Sequence, residues 1–490
     1  MAQAGPLAFW LDAALPEVGP RWLGWVHLGA VLATVPVVLL SRKSPQGKLG
    51  WLLALVALPW LGLVLYWGLG RDWLNRRVLR LRHARTASLE PTDRVLEAAR
   101  LQVRAGLASG RPVGVAPELV LAAQAEGVCA PYPGNEVLAL ADGPAVFAAA
   151  REAIAGARDH IHVLTYIFRD DRTGRGVRDL LVQAAGRGVQ VRVLFDALGT
   201  YGTSRRFFRP LVEAGGQVAS FLPLGKGLRN LRVNLRNHRK ILVVDGHTAF
   251  TGGMNVADEY ATADGWRDVH ARVRGPAALG LQRVFVEDWH FATGDLLDAP
   301  RWFPEVAPAG EALVQVLASG PDLDSPVIEA TFFAAIAGAR ERVDILTPYF
   351  VPSEGLEAAL ADASRRGRRV RVVLPARPDH RIVGLAADTV VPRLMEEGVE
   401  FWASPRMLHG KVMAVDDAWA TLGSANMDTR SLRLNFEVNI AFPHAPTARR
   451  VREVVDLHLR DCRRLVPADY RFGPGGRLLR GVAGLFAPVL

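Results

Sequence analysis

Three stretches of this chain occur twice, in the same order. Residues 153–158 read AIAGAR and run into DHIHVLTYIF; residues 335–340 read AIAGAR again and run into ERVDILTPYF. RGVQVRVLFD at 187–196 matches RGRRVRVVLP at 366–375, and NHRKILVVDGHTAFTGGMN at 237–255 matches LHGKVMAVDDAWATLGSAN at 408–426. The spacing between copies shortens along the chain, as it does when loops shrink between matching elements. A duplicated unit of roughly 160 residues is of ordinary domain size, so the 490-residue chain holds two copies and more. Such a chain folds one element order twice, and the copies can pair about a pseudo-twofold axis.

Within each copy, helical and strand patterns alternate. VFAAAREAIAGAR has helical spacing; HIHVLTYIF alternates and is rich in β-branched and aromatic residues; VRDLLVQAAGRG is a helix closing on Gly188; VQVRVLF is a buried strand. Strands alternating with helices predict an α/β sandwich in each half. KILVVD and KVMAVD read as central strands, so each His-x-Lys sits at a strand start with both side chains on one face. The halves are placed at 131–304 and 313–470, joined by a linker at 305–312 in EVAPAGEAL.

Ahead of the repeat, Trp22 to Leu40 carries no formal charge and is broken only by His27 and Pro36, and Leu49 to Gly70 is a second uncharged run. Each has about the length of a bilayer-crossing helix, and Trp22, Trp25, Trp51, Trp60, Tyr66 and Trp67 suit interfacial belts. No basic region precedes the first run, which argues against a cleaved signal peptide. The expectation is a tail at 1–20 and a transmembrane hairpin at 21–70, with helices at about 22–40 and 49–70. His27 is expected to make a polar contact between helices or at the interface. The turn between the runs carries Arg42, Lys43 and Lys48, and the stretch after them carries Arg71, Arg76, Arg77, Arg80, Arg82 and Arg85. The positive-inside rule then places the bulk of the chain in the cytoplasm, with 71–130 as a basic juxtamembrane linker.

The net charge of +10 favours an anionic partner, either nucleic acid or an acidic lipid surface. With half the residues hydrophobic and 22% charged, the chain is not disordered. Cys129 and Cys462 are its two cysteines; their spacing fits no zinc site, and reduced thiols are expected.

The repeated string His-x-Lys-x4-Asp-x6-Gly-[Gly/Ser]-x-Asn carries the chemistry. A lone His-x-Lys means little; the whole string at matching places in a repeat is specific. A neutral imidazole attacks an anionic phosphodiester without charge repulsion and forms a covalent phosphoryl intermediate. A second, protonated histidine donates to the departing alkoxide and later deprotonates the acceptor alcohol. Two lysines and two asparagine amides hold the non-bridging oxygens. Each half carries half of that set.

In this doubled motif the chain resembles the phospholipase D superfamily. The resemblance extends to LPWLGLVLYWGLGR, TPYFVPSEGL, GSANMDTRSLRLNFEVN and the terminal LFAPVL, in which it is similar to the bacterial cardiolipin synthases. It implies two tandem phospholipase D-like α/β sandwich domains with pseudo-twofold pairing, behind the membrane hairpin. It implies a catalytic set of His238, Lys240, Asp245, His409, Lys411 and Asp416. The residues alone do not separate the two histidines; the resemblance makes His238 the nucleophile and His409 the acid/base. Lys240, Lys411, Asn255 and Asn426 would hold the phosphate. Asp268 and Glu437 lie downstream of the two motifs, and each would accept a proton from its own motif's histidine and fix the tautomer. Asp245 and Asp416 follow a strand and are expected to brace the two halves rather than touch substrate. Gly252, Gly253 and Gly423 would let backbone approach closely. No metal and no cofactor are expected, because a lysine beside each histidine is a poor neighbour for a cation.

His160 and His162 read as structural. Tyr166, Tyr349 and Phe350 end paired strands and serve either core packing or a substrate channel. RRFFRPLV (205–212) and FLPLGKGLRNLRVNLR (221–236) read as a membrane-contacting loop, and 471–490 as an amphipathic tail able to lie on a bilayer. The function implied is transfer of a phosphatidyl group from one phosphatidylglycerol to another, releasing glycerol and giving cardiolipin at the inner membrane. The partners are then phosphatidylglycerol and anionic lipids, with no nucleic acid and no second chain required. Hydrolysis by the same residues, as a lipase or a tethered nuclease, is the alternative, and a non-catalytic lipid-binding scaffold ranks last.

Overall fold

The computed structural model of the chain describes residues 22–41, 45–58, 60–70, 131–222, 235–323 and 325–487. They fall in two compact units, an N-terminal hairpin and a body that contains both repeats. The tail at 1–20, the linker at 71–130, Cys129 and residues 223–234 of the second basic-apolar stretch lie outside the described residues.

In the hairpin, the first helix, Trp22–Leu39, follows the expected run. The second expected span is divided into Pro45–Ala57, Leu61–Leu65 and a π-helical turn at Tyr66–Gly70. The sequence at the division is Leu58-Pro59-Trp60, and proline lacks an N–H and clashes with the preceding turn. Trp60 takes a left-handed φ of 59° there. Among the described residues no helix is long and apolar enough to cross a membrane, which corrects the expectation of two full spans. Val31, Val38, Leu55, Leu63 and Tyr66 pack together inside the hairpin. The Trp60 N–H donates to His27 Nδ1 at 3.4 Å, so His27 does serve an interhelical contact. Trp25, Leu32, Leu53, Val56 and Val64 are exposed.

In the body, the first half contributes β1 (Tyr132–Leu140), β2 (His160–Thr165), β3 (Gln190–Asp196), β4 (Gln217–Phe221), β5 (Ile241–Val244), β6 (Thr248–Gly252) and β7 (His270–Arg274). The second contributes β8 (Ala312–Ser319), β9 (Arg342–Leu346), β10 (Phe350–Val351), β11 (Arg369–Pro375), β12 (Glu400–Ser404), β13 (Val412–Val415), β14 (Trp419–Gly423), β15 (Met427–Asp428), β16 (Glu437–Phe442) and β17 (Arg463–Arg464). The order β1-β7-β6-β5-β2-β3-β4 in one half is mirrored by β8-β16-β14-β13-β9-β11-β12 in the other, with β17 added at the edge. β2, β3 and β4 run parallel, as do β9, β11 and β12; the remaining pairings within the halves are antiparallel, apart from a separate parallel pair of β10 with β15.

The halves are not two closed sandwiches. β1 pairs antiparallel with β8, so one fifteen-stranded mixed sheet runs through both. That pairing removes two strand edges that would otherwise lie open. Two long helices lock it. Ala277–Thr293 follows the first half but packs on β8 as well as on β2, β4, β5 and β7; Ala445–Leu459 follows the second half and packs on β1. The first of these is buried almost all round, and it joins Phe285 and Trp289 to a core shared with Phe436 and Phe442 of the other half.

Asp245 and Asp416 brace, but within their own halves. Both sit in a tight turn at φ 51°, a conformation aspartate tolerates. The Asp245 carboxylate accepts the backbone N–H groups of Arg158, Asp159 and His160 at 2.9, 2.8 and 2.9 Å, which starts β2. The Asp416 carboxylate accepts those of Arg340, Glu341 and Arg342 at 3.1, 2.8 and 2.9 Å, which starts β9. They hold the AIAGAR turn of each copy against the motif strand, not one half against the other.

The stretch at 205–212 is not a membrane loop. Phe207 and Phe208 are buried and meet the Phe168 ring edge-on at 5.6 and 5.2 Å. Helical winding over Arg205–Phe208 and Arg209–Glu213 leaves the arginines outside and turns the aromatic pair inward. His160 and His162 are buried and structural, His162 bonded to Gln282 at 3.0 Å. Phe350 is core, and the Cys462 thiol donates to the His458 carbonyl at 3.0 Å.

Candidate active site

Two short backbone crossings assemble the site. The His238 N–H donates to the Phe436 carbonyl at 2.9 Å, and the Phe436 N–H returns to the Arg236 carbonyl at 2.8 Å. The His409 N–H donates to the Arg267 carbonyl at 2.6 Å, and the Arg267 N–H returns to the Met407 carbonyl at 2.8 Å. Each motif histidine is thus stitched to the segment just before the other half's acid. The carboxylates follow one residue later, so the pairing crosses. His238 Nδ1 lies 3.1 Å from the Glu437 carboxylate and 3.1 Å from the Ser424 carbonyl. His409 Nδ1 lies 2.7 Å from Asp268 Oδ2. The expected pairs, His238 with Asp268 and His409 with Glu437, do not form. The register of the interface decides the partner, and neither half supplies both members of either motif pair.

Both carboxylates and His409 are buried and His238 is largely so, yet the pairs differ in charge. Burial lowers the His238 pKa to about 4, with the Glu437 carboxylate opposing only in part. Burial would raise the Glu437 carboxyl, but His238, Lys240 and the Ser424 hydroxyl outweigh it and hold it below the ordinary glutamate range. Ser424 Oγ donates to Glu437 at 2.5 Å. Glu437 is therefore ionised and His238 neutral, with its proton on Nδ1 and a free lone pair on Nε2. At the other pair, burial raises the Asp268 pKa to about 7 against the pull of Lys411 and the Val269 N–H. Burial and the Lys411 and Lys240 charges hold His409 well below the usual histidine value. That pair keeps a proton on its carboxyl side up to near neutrality.

The lysines lie between. Lys240 Nζ donates to the His238 carbonyl at 2.6 Å. Lys411 Nζ stands 2.9 and 3.0 Å from the two ring nitrogens of His409. Burial lowers the Lys411 pKa to about 8, with Asp268 and Glu437 opposing. Asn255 accepts from the Ile167 N–H at 3.2 Å and donates to the Tyr260 hydroxyl at 3.0 Å. Asn426 is buried with its carbonyl oxygen unpaired. Tyr166 meets the His238 ring at 5.0 Å; Tyr260 and Trp266, both from the first half, meet His409 at 5.4 and 5.5 Å. Among the described residues no three His, Cys, Asp or Glu side chains are grouped to hold a metal ion.

The motif glycines make room for neighbouring side chains. A Cβ on Gly253 would stand 2.3 Å from Asp268 Oδ1, and one on Gly423 2.3 Å from Asn439 Oδ1. Gly252 abuts the His270 ring, 2.4 Å from where its Cβ would be.

The residue between His238 and Lys240 escaped the sequence reading. Arg239 is fully buried and donates to Asp288 Oδ1 at 2.7 Å, to the Glu437 carbonyl at 3.1 Å and to the Ser319 carbonyl at 3.1 Å. Asn237 Nδ2 takes the other Asp288 oxygen at 2.8 Å. This clamp plugs the first motif into the second half's sheet. One signal was present: the matching position in the second motif is Gly410, so the repeat breaks there. Tyr260, Trp266 and His270 carried no such mark.

The family described as "Cardiolipin synthase, PLD-like domain" matches residues 150–289 and 332–458, and the family "Phospholipase_D-nuclease N-terminal" matches residues 30–71. The cardiolipin synthase of Geobacillus thermodenitrificans is 34% identical over 470 residues, covering 93% of this chain and 91% of its own length. Cardiolipin synthase A of Pseudomonas fluorescens is 38% identical over 439 residues, covering 87% of this chain and 89% of its own. The crystal structure of phosphatidylserine synthase from Haemophilus influenzae superimposes with a TM-score of 0.61 at 15% identity, over 76% of this chain and all of that one, and is similar in fold.

Proposed function

The chain belongs to the cardiolipin synthases of the phospholipase D superfamily, and from that premise we propose how its residues carry the phosphatidyl transfer. His238 Nε2 attacks the phosphorus of one phosphatidylglycerol, and the bond from phosphorus to the headgroup glycerol oxygen breaks. His409 gives its Nε2 proton to that oxygen and takes the Asp268 proton at Nδ1. Glycerol leaves, and the phosphatidyl group stays on His238. A glycerol hydroxyl of a second phosphatidylglycerol then loses its proton to His409 and attacks phosphorus. The phosphorus–nitrogen bond breaks and cardiolipin leaves. The energy of the phosphodiester is kept in the covalent step, so no nucleotide is consumed.

Lys240, Lys411 and Asn255 hold the non-bridging oxygens. The unpaired Asn426 carbonyl oxygen suits a headgroup hydroxyl rather than a phosphate oxygen, so the second asparagine is placed on the glycerol side. The observation that carries the assignment is the difference between the pairs: a neutral histidine on an ionised carboxylate, opposite a histidine on a carboxyl that holds its proton near pH 7.

The hairpin at residues 22–70 anchors the chain in the membrane, with the catalytic halves on the cytoplasmic side. Support comes from its exposed tryptophan and leucine side chains and from the arginines that follow it in sequence. The helix Pro474–Gly484, with Leu478, Leu479 and Val482 exposed, presents an apolar face suited to a bilayer.

The test is to incubate the purified full chain with phosphatidylglycerol in detergent micelles containing EDTA and to analyse lipids by mass spectrometry. Cardiolipin with free glycerol is expected, and neither in His238→Ala or His409→Ala. Phosphatidic acid without cardiolipin would instead make the enzyme a hydrolase.

A further inference from the structure

The outer helices of the first half, Gly143–Gly156 and Arg172–Gly186, pack on their sheet through Ile154, Leu181 and Ala184 but leave part of it uncovered. Between them lies a cleft of about 970 Å³. Its walls include Ala150, Ile154, Val177 and Leu180, and its floor Val163, Leu242 and Phe250. Its inner end is formed by Lys240, Asn255 and His270. An apolar trough therefore runs to the two groups that hold the phosphate.

The second half shows the same layer filled. By the AIAGAR register, Ala150 corresponds to Phe332. Phe332 is buried and packs with Leu356, Leu360 and Met413 under helices Val327–Ala337 and Glu354–Arg365. One repeat carries a phenyl ring where the other carries a methyl group, and the space remains open.

We propose that this cleft holds one acyl chain of the phosphatidyl group while its phosphate rests on Lys240 and Asn255. The proposal rests on the phosphatidyl-transfer reading above. The occupant follows from the two ends of the site: cationic and amide groups at the phosphate, hydrocarbon beyond it. The volume lies in the range of roughly 300–1,000 Å³ found for sites that enclose small lipophilic ligands. The diacylglycerol stays bonded to phosphorus through both halves of the reaction, so a chain seated here keeps the intermediate in register while glycerol leaves and the second lipid enters. The acceptor lipid does not use it.

Two variants fill the cleft. Ala150→Phe copies the second half. Gly176→Leu adds bulk at a lining position where a Cβ meets nothing within 4 Å. Both are assayed by kcat/KM against phosphatidylglycerols of six-carbon to eighteen-carbon chains, with circular dichroism and the melting midpoint as checks on folding. In the unmodified enzyme kcat/KM should rise with chain length. In the variants it should flatten, with a loss of about tenfold or more on the longest chains, as when two methylenes lose their burial. Equal losses at every length, or no loss, would overturn the proposal. A phosphatidylglycerol with a diazirine at the chain end gives a readout without turnover: crosslinks are expected within residues 143–186 and 241–256, and crosslinks confined elsewhere would overturn it. If the unmodified enzyme makes no cardiolipin but crosslinks within those residues, the transfer reading fails and the chain site stands.

Discussion

At His238 the backing carboxylate is Glu437, ionised and bonded to Ser424; at His409 it is Asp268, buried so that its pKa climbs to about 7. The backbone around the two is nearly superimposable in plan: the same crossing, the same tight aspartate turn, the same strand order. Two copies of one fold thus hold their acids in different charge states by changing what surrounds a shared geometry. The polar neighbours of Glu437 stabilise its anion, whereas the Lys411 and Lys240 charges and two backbone N–H groups do not offset the burial of Asp268.

The sharpest way to break this comparison is to separate the two chemical steps. With a phosphatidyl ester of p-nitrophenol, whose leaving group needs no proton, His409→Ala should still release one equivalent of p-nitrophenol in a burst. His238→Ala should release none, a loss of about 10⁴-fold or more, in line with removal of a catalytic nucleophile. Mass spectrometry of the quenched burst should find the phosphatidyl group on residue 238. A burst from His238→Ala would reverse the roles.

The carboxylates come next. Glu437→Gln removes an anion that fixes the His238 tautomer and should lower kcat by about 10²-fold or more. Asp268→Asn cannot pass a proton to His409 Nδ1, so its loss should be greatest at pH 6, where the carboxyl holds its proton, and should shrink above pH 8, whereas the Glu437→Gln loss should not vary over that range. The same pH dependence in both variants would mean that the two pairs work in the same protonation state.

The pH profile tests the same difference. kcat/KM reports the free enzyme. Activity should fall as pH drops through about 4, where His238 gains a proton and loses its lone pair. It should fall again as pH rises through about 7, where the Asp268–His409 pair loses the proton needed by the leaving group, and further through about 8 as Lys411 loses its charge. Asp268→Asn should remove the limb near 7 and leave the acid limb in place. A basic limb unchanged in that variant would assign it to Lys411 alone.

The smallest effects should be on stability, and here the halves should split differently. Arg239→Ala leaves Asp288 as an unpaired buried charge and should cost about 3–5 kcal/mol, read from denaturant unfolding. Gly410, its counterpart, has no such partner to lose. Asp245→Ala and Asp416→Ala each free three backbone donors and should lower the melting midpoint by similar amounts, because the two turns are copies. Unequal shifts would show that one half carries more of the folding stability.

Much of this was legible in the chain. The duplication, the parallel and central strands and the histidines, lysines, asparagines and acids of the candidate site were readable, though not the acids' partners, because strand periodicity and motif spacing are local. The errors have a common source. Phe207 and Phe208 were assigned to a membrane loop because a basic-apolar mixture looks the same whether its aromatic side chains face lipid or Phe168. The second hairpin span was read through Pro59 because hydropathy averages over a helix break.

The sequence alone determined that two matching motif copies exist and which residue types each brings, since repeats and residue types survive without coordinates. Only the tertiary structure decided that Asp268 serves His409 and Glu437 serves His238, that β1 and β8 fuse the sheets, and that Arg239 closes the seam. Those facts depend on which distant backbone segments lie side by side. Protonation was decided there too, because it follows from the burial and neighbours of each carboxyl rather than from its residue type.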